Sequence, residues 1–179
     1  MKKLFSIPFI LVLALIPMLS LSSCDSDDDD DNYKDLIVDY APIEFDVACV
    51  NSQGEDLLDE KTTGCVINEC IKVQYEGQWY PLIDNPWADY ESRAYYAVWR
   101  SPYIRTVKDT DGIIKKAIYI GEIDGSTNGT TVVTLSIGNR MFKLKATNKI
   151  KKATEVTRHY YLDGKKIDND RGFYSIILK

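Results

Sequence analysis

A chain of 179 residues, of which about 140 can fold once an N-terminal signal is removed, has the length of one domain with a core of its own. The charges that add up to its formal net charge of −5 are unevenly distributed along the chain. Two lysines and six aspartates lie before residue 32, and the rest of the chain contains 20 Lys and Arg and 21 Asp and Glu. The negative balance therefore describes the start of the chain and predicts nothing about acidic partners. No phosphate-binding Gly-rich loop and no dinucleotide fingerprint occurs in the sequence.

Residues 1–23 have the three parts of an export signal. Lys2 and Lys3 form a positive start, Leu4 to Leu19 is an apolar run that two prolines interrupt, and small serines follow. A transmembrane helix needs roughly 20 apolar residues, and a small-residue exit is typical of a processed signal. We predict that this segment is removed.

The four residues Leu21-Ser22-Ser23-Cys24 resemble a bacterial lipobox. This resemblance implies that the Cys24 thiol is acylated and that the protein is held on outer-membrane lipid. Each buried lipid CH₂ contributes ~0.8 kcal/mol, so two or three chains anchor a protein stably. The alternative is a cleaved secretory signal with an incidental cysteine.

Residues 24–40 are predicted to form a disordered acidic tether, because neighbouring aspartates repel one another and cannot be buried. From Asp25 to about Tyr40 the tether could reach ~50 Å if fully stretched. The run from Cys24 to Asp30 resembles the acidic surface-export signal of Bacteroidota lipoproteins. It implies a protein facing the cell exterior, where nucleic acid is not an expected partner; a plain spacer is the alternative.

Residues 41–179 are predicted to fold as an all-β domain, since apolar residues recur at alternate positions. Gly138-Asn139 and Asp163-Gly164 each separate two such runs and predict hairpins. Eight or nine short strands of this kind favour an antiparallel, immunoglobulin-like β-sandwich. Helical turns are expected only at Leu57–Lys61 and Lys149–Thr154.

Three short segments of the domain are similar to small Bacteroidota surface lipoproteins that have a β-sandwich domain of unknown function. These segments are Gly54–Leu58, Tyr75–Tyr80 and Tyr161–Lys165. The resemblance implies the fold and brings no known site residues.

Three cysteines follow the lipobox, and this odd number leaves at least one thiol unpaired. Cys49 shares the apolar side of its predicted strand with Phe45 and Val47, so we expect a buried thiol. A local Cys65–Cys70 disulfide is predicted ahead of the next strand, and a Cys49–Cys65 bridge is the alternative. The protein has too few nitrogen and sulfur ligands for a typical zinc site, so no metal is expected.

The sequence does not predict an enzyme or a cofactor. His159 is the only histidine, it lies in a predicted strand, and no G-x-S-x-G motif accompanies it. Asp109–Gly112 and Asp168–Gly172 have oxygen-rich side chains but lack the glutamate of an EF-hand loop, so ordinary turns are expected.

Aromatic residues are concentrated near the middle of the chain. Trp79, Trp87 and Trp99 fall within 21 residues, and the loop Asp84–Tyr90 contains proline and polar residues. Most of these rings are expected to fill the core and its edges. Trp87 and Tyr90 are the candidate binding residues, because a polar loop is suited to displaying rings to a glycan or protein.

Residues 140–166 hold nine Lys and Arg against two acids. Met141, Lys143 and Lys145 are predicted to share one strand face while Phe142 and Leu144 share the other. This face is either a site for an anionic glycan or acidic partner, or an ordinary solvated surface.

Together these features predict a non-enzymatic surface lipoprotein that binds a glycan or protein partner. The alternative is a structural subunit of an outer-membrane complex.

Overall fold

The computed structural model describes residues 40–84, 99–108, 112–152, 155–168 and 172–178, which all lie in the unit Ile37–Lys179. These residues form ten strands and, within the described ranges, no helix. The strands are β1 Ile43–Val50, β2 Ile71–Tyr75, β3 Gln78–Pro81, β4 Tyr103–Lys108, β5 Ile114–Ile123, β6 Gly129–Ile137, β7 Arg140–Lys152, β8 Glu155–Leu162, β9 Lys165–Ile167 and β10 Phe173–Ile177.

The ten strands form a four-stranded sheet, in the order β10-β1-β5-β4, and a six-stranded sheet, in the order β3-β2-β6-β7-β8-β9. Pairing is antiparallel except between β1 and β10, which run parallel. The predicted all-β sandwich class is confirmed, with one or two strands more than expected.

The core joins side chains from both sheets. Phe45 and Ile118 of the four-stranded sheet and Leu135 and Leu144 of the six-stranded sheet belong to one buried cluster, and each is 0% exposed. Burying each such side chain contributes about 1.5–3 kcal/mol. The alternation of apolar residues along β1, β6 and β7 is therefore explained by this shared core.

The predicted hairpin turns are confirmed, because Gly138-Asn139 joins β6 to β7 and Asp163-Gly164 joins β8 to β9. Asp163 and Gly164 have φ angles of 47° and 84°, the left-handed geometry that suits a two-residue hairpin. The tight loop matches the right-handed twist of the strands it connects.

Neither predicted helical turn is a helix. Leu57 and Leu58 lie in a series of turns, where the Leu57 amide donates to the Cys49 carbonyl and both side chains enter the core. Lys149 to Lys152 continue β7, because their backbone pairs with the start of β8. Tertiary pairing overrides a weak local helix preference at both places.

The two sheets differ in how their outward faces are covered. In β1 and β5 the outward residues Ala48 and Ala117 are as buried as the core, at 1% and 0% exposure. In β6 and β7 the outward residues Val132 and Met141 are exposed. The broad solvent-facing surface of the described sandwich is therefore the outward face of the six-stranded sheet.

Candidate binding surface on the six-stranded sheet

Strand register places the basic segment on the outward face. Lys143 pairs with Thr134 and Lys145 pairs with Val132, while Leu144 between them pairs with Val133 and points into the core. Successive side chains of a strand point to opposite faces, so the lysines must face solvent. The predicted division between Met141, Lys143 and Lys145 on one side and Phe142 and Leu144 on the other is confirmed.

On this face, a lysine ammonium group lies over each of two aromatic rings. Lys72 Nζ lies 4.7 Å from the centroid of the Trp79 ring, and Lys145 Nζ lies 4.0 Å from the centroid of the Tyr161 ring. Exposed cation–π contacts of this kind contribute ~0.5–1 kcal/mol. Each pair presents a flat ring and a positive charge side by side.

Cross-strand pairing brings these groups into rows. Trp79 pairs with Gln74, Gln74 with Thr134 and Thr134 with Lys143. A second row contains Val132, Lys145, Tyr161 and Lys166. Trp79 and Tyr161 are on strands four positions apart, so at ~4.8 Å per strand the rings are separated by roughly 19 Å across the sheet. We name this surface, from Trp79 to Lys166, the lysine–aromatic face.

The lysine–aromatic face is positively charged although the domain is almost neutral. It carries four lysines, Lys72, Lys143, Lys145 and Lys166. The acidic residues Glu155 and Asp163 lie at the two ends of β8, where the Asp163 carboxylate accepts from the Lys143 amide at 2.8 Å. The field over the face therefore favours an anionic ligand.

The predicted aromatic cluster divides between this face and the sandwich interior. Trp79 is 42% exposed, whereas Trp99 stacks on Tyr75 with ring centroids 4.4 Å apart and meets the edge of Tyr80 at 5.1 Å. The expectation that most rings fill the core and its edges holds for Trp99. Trp87 and Tyr90 lie outside the described residues, so their role stays a prediction.

Cys49, Cys65 and Cys70 are all free thiols, so the structure contains neither predicted bridge. Between Cys65 and Cys70 the chain turns around Val66, which is buried in the core and whose carbonyl accepts from the Glu69 amide. Cys49 is buried as predicted, and desolvation, with a smaller effect of the Asp56 charge, raises its pKa to about 12. Cys24 lies outside the described residues.

The remaining sequence candidates are His159 and the two oxygen-rich turns. His159 is partly buried opposite Thr147, on the same outward face as Tyr161. No cluster of His, Cys, Asp and Glu able to hold a metal occurs within the described ranges. Most of the two oxygen-rich turns, residues 109–111 and 169–171, lies outside these ranges.

A polar network on the four-stranded sheet was not predicted from the sequence. Arg105 donates to both carboxylate oxygens of Asp46, at 2.8 and 2.7 Å, and its guanidinium lies 3.9 Å from the centroid of the Tyr119 ring. The Tyr119 hydroxyl donates to Glu44 at 2.7 Å, and burial together with this bond raises the Tyr119 pKa. The network joins β1, β4 and β5, and its groups are paired with one another, so it holds the sheet together.

Comparisons with known proteins provide no relative from which a function can be inferred. No protein-family model matches this chain, and neither a curated protein nor a solved structure is significantly similar to it. Within the described residues, no helix has the length and apolar character needed to cross a bilayer.

Proposed function

We propose that this protein is a non-enzymatic binding module that holds an anionic polysaccharide on its lysine–aromatic face. The observation that supports the proposal most strongly is the pairing of Trp79 with Lys72 and of Tyr161 with Lys145 on one exposed sheet surface. Aromatic rings stack against the apolar faces of sugars, and adjacent ammonium groups attract carboxylate, sulfate or phosphate substituents. A polymer chain can contact both pairs at once, which adds avidity.

We further propose that the module is anchored to outer-membrane lipid through acylated Cys24 and faces the cell exterior. The lipobox and the aspartate run that follows it support this location. Trp87 and Tyr90 would add a second contact for a glycan or surface protein. A cell-surface polysaccharide is a ligand that such a location makes available.

The alternative role as a subunit of a larger assembly has less support from the edges of the six-stranded sheet. The six-stranded sheet ends in β3, which has four residues and closes with Pro81, and in β9, which has three residues and begins with two lysines. Short edges with proline or lysine oppose the addition of further strands. We therefore prefer ligand binding through a face to assembly through an edge.

The test uses two polymers that share a backbone and differ in charge, dextran sulfate and dextran. We expect the processed protein to bind dextran sulfate more tightly, and this affinity should fall as salt shortens the ~10 Å screening length found at 0.1 M. Lys143→Glu/Lys145→Glu should weaken dextran sulfate binding by about tenfold, the equivalent of ~1.4 kcal/mol. Trp79→Ala should weaken binding of both polymers by roughly 3–10-fold, because a stacked ring contributes ~0.5–1.5 kcal/mol.

The control is Lys61→Glu/Lys108→Glu, which makes the same change in net charge at exposed lysines away from the face. If this control loses as much affinity as Lys143→Glu/Lys145→Glu, binding depends on overall charge and the proposed site is wrong. Unchanged affinity in the Lys143→Glu/Lys145→Glu variant would also contradict it.

A further inference from the structure

A cleft of about 460 Å³ lies at one end of the sandwich, between the β2–β3 turn and the segment that connects β5 to β6. Its polar lining comes from Tyr75, Glu76, Asp124 and three threonines, 127, 130 and 131, while Ile123 and Val132 supply the apolar part. This volume falls in the ~300–1,000 Å³ range of small-molecule sites. The cleft adjoins the lysine–aromatic face, because Val132 belongs to both, but the polysaccharide binding proposed above uses none of its carboxylates or threonines.

One wall of the cleft is the tight turn that joins β2 to β3. Glu76 and Gly77 have φ angles of 48° and 81°, so a glutamate occupies the left-handed region that most side chains avoid. Tyr75, beside it, is stacked on Trp99, and burial followed by the nearby Glu76 carboxylate raises the Tyr75 pKa. The Tyr75 hydroxyl and the Glu76 carboxylate therefore lie next to each other on this wall.

The opposite wall is held by a polar residue in a core position. Asn148 lies on the inward side of β7 and is 5% exposed, yet its amide nitrogen donates to the Gly125 carbonyl at 2.7 Å and to the Thr127 carbonyl at 2.8 Å. Arg158 Nε donates to the Asn148 oxygen at 3.3 Å. Burying a side-chain amide is unfavourable unless its polar atoms are hydrogen-bonded. The bonds of Asn148 to the loop and to Arg158 meet this requirement, and they hold the wall of the cleft in place.

The fit around Gly125 adds to the rigidity of this wall. A Cβ atom at Gly125 would overlap the Ala41 carbonyl oxygen, so the chain just before β1 packs directly against the loop. Arg158 donates to the Ala41 and Pro42 carbonyls at 2.9 and 2.8 Å and holds that chain in place. The cleft is therefore pre-formed, which lowers the entropic cost of binding.

The lining determines the charge of a suitable ligand. The Asp124 carboxylate accepts from the hydroxyl and the amide of Ser126, at 2.9 and 2.8 Å, and these bonds lower its pKa. Glu76 provides a second carboxylate, and none of the described residues that line the cleft is basic. The threonine and tyrosine hydroxyls suit a ligand that is itself rich in hydroxyl groups.

We propose that this cleft binds an amino sugar whose amino group is free and positively charged. The two carboxylates attract the ammonium group, the hydroxyl side chains bond to the sugar hydroxyls, and Ile123 and Val132 contact the apolar face of the ring. The cleft and the lysine–aromatic face thus select ligands of opposite charge.

The experiment is a titration of the ¹⁵N-labelled processed protein by NMR with glucosamine, N-acetylglucosamine and glucuronate. We expect glucosamine to shift amides of residues 75–77 and 123–132, N-acetylglucosamine to bind at least about tenfold more weakly, and glucuronate to give no shift there. Glu76→Gln/Asp124→Asn should remove the preference for glucosamine, whereas the control Glu60→Gln/Asp168→Asn, at exposed carboxylates outside the cleft, should retain it.

Equal binding of the three sugars, shifts located elsewhere, or an unchanged preference in Glu76→Gln/Asp124→Asn would overturn the proposal. The single variants Glu76→Gln and Asp124→Asn are measured as well, so that a misfolded double variant does not decide the result. Trp79→Ala, which should weaken polysaccharide binding and does not line the cleft, should leave the affinity for glucosamine unchanged, and this separates the present proposal from the polysaccharide proposal.

Discussion

Replacing Asn148 with alanine tests how much one buried amide contributes to the fold and to the cleft. The substitution removes two donated hydrogen bonds, to the carbonyls of Gly125 and Thr127, and one accepted bond from Arg158. A buried carbonyl left without its donor costs ~1–3 kcal/mol. Gly125 is buried, whereas Thr127 is exposed and can bond to water instead.

The expected loss of unfolding free energy follows from these contacts. We assign most of it to the Gly125 carbonyl and the Arg158 guanidinium and expect a total of about 2–3 kcal/mol. That is a large part of the ~5–15 kcal/mol that stabilises a typical domain. With a urea slope near 2 kcal/mol per M, the unfolding midpoint should fall by ~1 M or slightly more.

The assay is urea unfolding followed by tryptophan fluorescence, together with hydrogen exchange of the amides in residues 124–128. Exchange in this loop should increase more than exchange in β6 and β7, because the substitution releases the loop from the sheet. The control is Thr147→Ala, one residue away on the outward face, which should change stability by no more than ~0.5 kcal/mol.

A midpoint shift in Asn148→Ala no larger than that of Thr147→Ala would refute the reasoning. It would mean that water replaces the amide at no cost and that the loop keeps its position without Asn148. Slower or unchanged exchange in residues 124–128 would lead to the same conclusion.

The remaining predictions concern the cysteines and the loop with Trp87 and Tyr90. Burial raises the pKa of Cys49 to about 12, from the value of 9.0 that the thiol has in the unfolded chain. The protonated Cys49 thiol therefore makes its full contribution to the free energy of unfolding below pH 9.0. That contribution should decline by ~1.4 kcal/mol per pH unit above 9.0, a slope that Cys49→Ala should lack in urea titrations at pH 9–11. Cys70 is exposed and should be alkylated before the buried Cys49. Mass spectrometry after alkylation without reduction measures this order. If neither Cys65 nor Cys70 is labelled, the two are joined by a disulfide. Cys24→Ala should move the protein from the membrane to the soluble fraction, and intact mass should show acyl chains only on the unsubstituted protein. Trp87→Ala and Tyr90→Ala should weaken polysaccharide binding by roughly 3–10-fold each, and unchanged affinity would exclude that loop from the site.

Much of the fold could be predicted because the information is local. Alternation of apolar residues in β1 and β7 reports which side of each strand is buried, and Gly138 and Gly164 mark the turns where the chain reverses. These signals depend on backbone geometry and on the separation of apolar from polar groups, which neighbouring residues already display. The outward position of Lys143 and Lys145 follows from the same alternation.

The composition of the binding face depended on pairings between distant strands. Trp79 and Lys143 are 64 positions apart in the chain, and they come into one row because β2 pairs with both β3 and β6 and because β6 pairs with β7. The parallel pairing of β1 with β10 likewise joins the two ends of the domain, and no turn signal specifies it. In the sequence, Asn148 looks like an ordinary polar residue of an exposed strand. Its buried role depends on hydrogen bonds to the loop of Gly125 and Thr127, which lies more than 20 positions earlier in the chain.

By itself the sequence determined the strand class of the fold, the main hairpins and the buried side of most strands, because each depends on residues close together in the chain. Only the tertiary structure decided which rings meet which lysines and which carboxylates share a cleft. Those neighbours are selected by the free energy of closing one common core, in which strands far apart in the chain bury their apolar faces together.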